Sequence, residues 1–325
     1  MPSYPLSKLP LVRYLVWLLG SGIVLLTFVS LLSLVAWHPY LELTSHFKVQ
    51  YLMLSSLLLV PLGLLGYRNW VLVALFCVAL QLVEVMPWYV PSAIAPQSHN
   101  LRILLSNLYV RNQNPDKILA LIEAEKPDIA VFQERDGHWL QSLEPLKTQM
   151  PYVFEAPKDI AVFSRIPLEN PTLFGSAKQD LISATITVNG RKTRLVTTHP
   201  LPPLPSLAAF RNAELQQVTD YIQKQKAPIV LIGDLNTTMW SPYYKRLKSK
   251  TGLKNTRQGY GTLPTWPAPT QFASTHPVLA SLKPLLWIPI DHALVSPEIQ
   301  VRDTRVGANI DSDHLPFIVD LFIPN

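Results

Sequence analysis

The first hundred residues of this chain carry almost no ionisable side chains. Before Asn100 the only Lys, Arg, Asp or Glu are Lys8, Arg13, Glu42, Lys48, Arg68 and Glu84. A stretch with no polar face for water must bury itself, and its length decides where. From Tyr14 to Trp37 the chain is uncharged and almost wholly apolar, which at about 1.5 Å per residue crosses a hydrocarbon core of about 30 Å. Two further runs, Tyr51 to Tyr67 and Trp70 to Val90, are separated only by Arg68-Asn69 and read as a tight helical hairpin. Pro61 interrupts one, which a membrane helix tolerates when neighbours satisfy the freed backbone. Glu84 interrupts the other near its far end, within reach of the interface. Trp17, Trp37, Trp70, Trp88 and Tyr89 fall near the ends, as in an aromatic belt.

A cleaved signal peptide has an apolar region of only about 7–15 residues and is not followed by two more. A soluble helical core needs a polar face that these runs lack. The expectation is therefore a transmembrane region over residues 1–90 with three spans, at about 14–37, 51–67 and 70–90, rather than two or four. Lys8 and Arg13 flank the first span, Arg68 sits in the second turn, and only Lys48 lies in the loop between. The excess of positive charge predicts a cytoplasmic N-terminus. Three spans then place everything after Pro91 outside the cytoplasm, in a multi-pass protein with the lipid bilayer as its partner. No protein partner is implied.

Composition changes at Pro91 to Asn100, a linker with Pro91, Pro96, Ser92 and Ser98, and residues 101–325 hold nearly all the charge. A net charge of +6 and a pI near 9.3 suit an anionic partner such as nucleic acid or a lipid headgroup, but both signs are interspersed and no Lys/Arg run occurs. The single cysteine, Cys77, excludes an intrachain disulfide. Apolar runs predict strands at Leu101 to Asn107, Ile129 to Phe132, Ile160 to Ser164, Leu181 to Val188, Thr193 to Thr198, Ile229 to Ile232, Ile290 to Val295 and Phe317 to Phe322. Asn114-Pro115-Asp116 opens a helix with a capping side chain and ends near Pro127, and a longer helix covers about Ser206 to Lys226. Pro264 to Pro289 reads as an irregular loop bearing Trp266 and Trp287. Many strands with few helices between consecutive pairs predict an α/β domain of two packed sheets with helices outside, rather than a doubly wound parallel sheet.

Polar residues sit at the ends of these strands, where a buried scaffold presents them at a rim. They are Asn107 in Ser-Asn-Leu, Glu134 in Phe-Gln-Glu, His199 in Thr-Thr-His-Pro, Asp234 and Asn236 in Gly-Asp-Leu-Asn, Asp291 in Ile-Asp-His, and Asp313-His314 in Ser-Asp-His-Leu-Pro. Asp234 and Asn236, two apart, point to the same side of an extended segment. In this order, over Leu101 to Pro324, the motifs resemble the endonuclease/exonuclease/phosphatase superfamily, the group with the deoxyribonuclease I fold.

That resemblance implies a four-layer α/β sandwich, two packed sheets flanked by helices, preceded here by an all-α membrane region of about three helices. It implies hydrolysis of phosphodiester or phosphomonoester bonds with Mg²⁺, or Mn²⁺ in its place, since hard cations prefer oxygen ligands. Asn107, Glu134 and Asp313 then resemble the metal site. Asp234 resembles the residue that positions or deprotonates the attacking water, and Asn236 one that bonds the phosphate. His314 resembles the histidine that contacts the scissile phosphate, Asp291 the acid that fixes its tautomer, and His199 the general acid. Arg211, early in the long helix, is a further candidate for phosphate binding beside Asn236. Arg165 and His292 read as structural, and Trp266 either stacks on a substrate base or packs beneath its loop. The substrate is a phosphate ester, in a nucleic acid or a lipid headgroup. A membrane-held nuclease leads, a sphingomyelin- or inositol-phosphate-type phosphoesterase is the alternative, and a catalytically silent membrane scaffold requires a damaged site that this sequence does not have.

Overall fold

The structure is a computed structural model that describes residues 10–325 apart from 33–34, 36–37, 92–93, 158, 176–179 and 273–282. Lys8, Trp37 and Ser92, used above, lie outside the described residues. The chain divides into two compact units. One comprises Met1–Pro87 with Trp240–Pro242; the other comprises Trp88–Met239 with Tyr243–Asn325.

The first unit is helical. Among the described residues, three helices are long and apolar enough to cross a membrane: Pro10–Leu32, Pro39–Leu64 and Arg68–Tyr89. The first is α1 (Pro10–Leu32). The second starts earlier than the apolar run, because His38 precedes Pro39 as an extended N-cap whose Nδ1 accepts from the Tyr40 amide at 3.4 Å. It comprises α2 (Pro39–Thr44), one 3-10 turn and α3 (Lys48–Leu64). Lys48 is therefore inside a helix and buried, not in a loop. Its ammonium donates to the Ser30 carbonyl and to Ser30 Oγ at 3.1 Å, and lies 3.9 Å from Glu84 Oε2. The third contains α4 (Arg68–Val85). Gln81 Nε2 donates to Thr27 Oγ1 at 2.7 Å and to Ser55 Oγ at 3.0 Å, joining all three helices by polar bonds among apolar side chains. Gly20 lets Trp70 lie against α1, since a Cβ there would be 2.1 Å from the indole ring.

The second unit is a sandwich of two six-stranded mixed sheets. In chain order the strands are β1 (Leu101–Asn107), β2 (Ile129–Gln133), β3 (Tyr152–Glu155), β4 (Ala161–Ser164), β5 (Glu169–Gly175), β6 (Asp180–Val188), β7 (Arg191–Thr198), β8 (Ile229–Asp234), β9 (Lys254–Asn255), β10 (Asp291–Val295), β11 (Gln300–Val306) and β12 (Phe317–Phe322). The sheet orders are β11-β12-β1-β2-β4-β3 and β5-β6-β7-β8-β10-β9. Residue alternation sorts the core. Ile103, Leu105, Ile129 and Val131 face the second sheet and pack with Ile182, Leu195, Val230, Ile232 and Ala293. Leu104, Ala130 and Phe132 face outward, against α5 (Pro115–Glu125) through Ile118 and Ile122 and against Trp139 of α6 (Gly137–Ser142). The remaining helices are α7 (Ala208–Gln223) and α8 (Pro242–Thr251). Asn114 precedes α5 but makes no side-chain cap; its side-chain Nδ2 donates to Asp311 Oδ2 at 3.1 Å instead.

Strand direction places the site. β1 runs parallel to β2, so Asn107 and Gln133 come out side by side at one edge of the first sheet. In the second sheet β7 and β8 are parallel and end at Thr198 and Asp234, while antiparallel β10 begins opposite, with Asp291 in register with Asp234.

Candidate active site

Gln133 brings the two rims together. Its Nε2 donates to the Thr198 carbonyl at 2.9 Å, and its Oε1 accepts from the Asp234 amide at 2.9 Å. One fully buried amide thus ties the strand ends that carry Glu134, His199 and Asp234. The neighbouring Gly233 is required by this closeness: a Cβ there would sit 2.1 Å from the Thr198 carbonyl oxygen.

On the first sheet, Asn107 Nδ2 donates to Glu134 Oε1 at 2.9 Å, and Asn107 Oδ1 accepts from the Tyr109 amide at 3.0 Å. Glu134 adopts φ +54, a left-handed backbone that turns its carboxylate off the end of β2. Ser312 Oγ donates to the Asn107 carbonyl at 2.7 Å and accepts from the His314 amide at 3.0 Å. The Ser-Asp-His segment is thereby fixed to β1.

Around Asp234, at the end of β8, five groups form a chain. Asp159 Oδ2 lies 2.6 Å from His199 Nδ1, and His199 Nε2 lies 3.5 Å from Asp234 Oδ2. The same Asp234 oxygen lies 3.6 Å from His314 Nε2, and His314 Nδ1 lies 2.8 Å from Asp291 Oδ2. Asp234 Oδ1 accepts from the Asn236 amide at 2.8 Å, and Asn236 Nδ2 donates to the Pro200 carbonyl at 2.9 Å. Asn236 has φ +48, so Gly-Asp-Leu-Asn ends in a turn closed by the Asp234 side chain, not in the extended segment expected from its spacing.

Burial opposes charge on His199, but Asp159 and Asp234 more than offset it and hold the imidazole well above its usual range. At His314 burial is likewise outweighed, by Asp291, Asp234 and Asp313, and the ring is pushed up to about 10. Burial would raise Asp291, yet His314, Thr265 and Arg257 hold it below the usual carboxylate value. Both imidazoles are therefore shifted toward the protonated, donating form, one on either side of Asp234.

The donor set fits a hard divalent cation. Asn107, Glu134 and Asp313 offer oxygens, and among the described residues the only carboxylate oxygens buried without a hydrogen-bond partner are Asp159 Oδ1 and Asp313 Oδ1. Asp234, Asp291 and His314 also bring ligand atoms within 4.8 Å of one another. In that trio Asp291 and His314 already bond to each other, which suits an acid–imidazole pair better than two metal ligands.

Arg211 belongs to the long helix. It is fully buried in α7 with its guanidinium 5.1 Å from the centroid of the Tyr243 ring. His292 is structural: its Nε2 lies 2.8 Å from the Thr237 carbonyl, and burial followed by Arg257 lowers it to about 3. Arg165 donates to the Pro127 carbonyl at 2.9 Å. Sequence reasoning missed Asp159, which lies in a loop 40 positions before His199 and shares no motif with it.

The profile of the Endonuclease/Exonuclease/phosphatase family matches residues 104–314. No curated protein matches the chain. Solved structures share the fold. Danio rerio TDP2 complexed with single strand DNA product aligns at TM-score 0.57 and 15% identity, covering 68% of this chain and 98% of that one. The human nocturnin catalytic domain with bound sulfate anion aligns at 0.54 and 20%, covering 71% and 97%. An endonuclease/exonuclease/phosphatase from Beutenbergia cavernae aligns at 0.54 and 20%, covering 70% and 72%.

Proposed function

Because the chain belongs to the endonuclease/exonuclease/phosphatase family, we propose that it is a membrane-anchored, divalent-metal-dependent phosphoesterase. The observation that carries this is the placing of Asp234 Oδ2 between two imidazoles, each backed by a carboxylate. Asn107, Glu134 and Asp313 would hold the cation, Mg²⁺ or Mn²⁺, which would supply neutralisation of phosphoryl oxygens and easier deprotonation of water. Asp234 aligns the attacking water for in-line displacement and takes its proton. His314, with Nδ1 turned to Asp291, presents Nε2–H to the phosphoryl oxygens. His199, held by Asp159, donates a proton to the leaving oxygen. Asn236 and Arg211 are assigned to the phosphate; the Arg211 guanidinium lies 5.1 Å from the centroid of the Tyr243 ring.

The substrate proposed first is nucleic acid, for which the net charge of +6 is suited. A lipid headgroup is the second reading, favoured by exposed apolar side chains in the segments that adjoin site residues: Leu204 and Phe210 between His199 and the body of α7, Leu285 and Leu286 in a 3-10 turn before Asp291. The three apolar helices are proposed to span the bilayer with the N-terminus in the cytoplasm and the catalytic unit outside it.

The test is Mg²⁺-dependent hydrolysis of plasmid DNA, RNA and phospholipid vesicles by the full chain, beside His314→Ala and Glu134→Ala. Nucleic-acid cleavage lost in both variants supports the first reading. Phosphate-headgroup release from vesicles without such cleavage moves the assignment to lipid. Equal activity in the variants refutes the site, and inactivity on all three with Mg²⁺ bound favours the silent scaffold.

A further inference from the structure

Thr265, Trp266, Pro267 and Ala268 take no part in the chemistry above, yet their segment grips the site from outside. The Trp266 indole Nε1 donates to Asp313 Oδ2 at 3.3 Å, and the Ala268 amide donates to the Asp313 carbonyl at 2.6 Å. Thr265 Oγ1 accepts from the Asp291 amide at 3.4 Å, and the Thr265 carbonyl accepts from the Leu315 amide at 2.9 Å. The segment is itself anchored by an antiparallel bridge between Trp266 and Ile288. Thr265, Trp266 and Ala268 thus hold positions 291, 313 and 315, on both sides of His314.

The chemistry of the indole makes its contact with Asp313 specific. A carboxylate beyond Cβ is free to rotate, and which oxygen meets a cation depends on what holds the other. An indole N–H donates and never accepts. Being uncharged, it fixes one oxygen without neutralising the carboxylate, as a Lys or Arg would. With Oδ2 taken by Trp266, Oδ1 is buried and has no partner. We propose that Trp266 is a positioning residue whose indole N–H fixes the Asp313 carboxylate and presents Oδ1 to a divalent cation. This rests on the reading of Asp313 as a metal ligand, and it assigns Trp266 to the protein rather than to a substrate base.

The experiment is calorimetric titration of Mn²⁺ into the full-length chain in detergent, with melting temperatures measured alongside. Trp266→Phe keeps an aromatic ring and removes the N–H; replacement of Trp266 by 3-benzothienylalanine does so isosterically and serves if the Phe variant does not fold. The expected result is Mn²⁺ affinity weaker by roughly 10- to 100-fold, as for other partners of metal ligands. Asp313→Ala should lose at least as much, and the Trp266→Phe loss should vanish in the Asp313→Ala background, because the indole acts only through that carboxylate. Mn²⁺ affinity within about twofold of the parent in the folded Trp266 variants, with Asp313→Ala impaired, overturns the positioning role alone. Unchanged affinity in Asp313→Ala overturns the metal-ligand reading and the proposal with it.

Discussion

Two histidines that share one acid set the behaviour of single residues here. Asp159 orients His199 from a loop, so Asp159→Asn should lower kcat by roughly 10- to 100-fold while leaving KM unchanged, because the ring still packs but is no longer held or charged. Steady-state kinetics check this; a variant with the parent kcat would remove Asp159 from the mechanism. The pair of Asp291 and His314 also makes a prediction about pH. His314 is raised, so its contribution to stability is complete below the ordinary imidazole value of about 6.5 and is lost as pH climbs through about 10. Asp291 is lowered, so its contribution is present above the ordinary carboxylate value of about 3.9 and is lost as pH falls through its depressed value. In the presence of a chelator, Asp291→Asn should therefore cost about 3–5 kcal/mol between roughly pH 5 and 8. The gap to the parent should narrow on either side, as read from denaturant unfolding at several pH values. A gap that stays constant from pH 3 to 10.5 would contradict the pairing.

Elements were legible where burial made them apolar. Leu101–Asn107 and Phe317–Phe322 form the strands that their composition announces, since both are central strands buried on both faces. Of the strands not anticipated, Tyr152–Glu155, Glu169–Gly175 and Gln300–Val306 are largely exposed or half-buried, so their polar residues hide them, and Lys254–Asn255 is only two residues long. The same reason explains the site. Asn107, Glu134, Asp234 and Asp291 end apolar strands and stand out, whereas Asp159 sits in an irregular loop, and its link to His199 exists only once β4 and β7 are folded. Gln133 was visible beside Glu134, but its bond from one sheet to the other has no sequence signature. The close approach it bridges predicts that Gly233→Ala forces β8 and the end of β7 apart, costing about 1–3 kcal/mol. It should also lower kcat, because His199 follows Thr198 directly. Parent-like melting and turnover would show that the rims tolerate the extra carbon.

At the scale of the whole molecule, charge is divided between a nearly neutral helical region and a charged sandwich. With Lys48 buried against Ser30 and close to Glu84, the described basic residues that flank the apolar helices reduce to Arg13 and Arg68, which three spans place on one side. A reporter active only outside the cytoplasm and fused after Asn325 should therefore be active, and one inserted at Arg68 should not; the reverse pattern would overturn the orientation. The central claim, that Asp234 and its two histidines hydrolyse a phosphate ester with a divalent cation, is tested most directly by turnover of bis(4-nitrophenyl) phosphate by the full chain across a Mg²⁺ titration, beside Asp234→Asn. The account predicts turnover that a chelator abolishes and added Mg²⁺ restores, reduced by about 10²- to 10⁴-fold in the variant. Turnover indifferent to chelation, or equal in the variant, would contradict it.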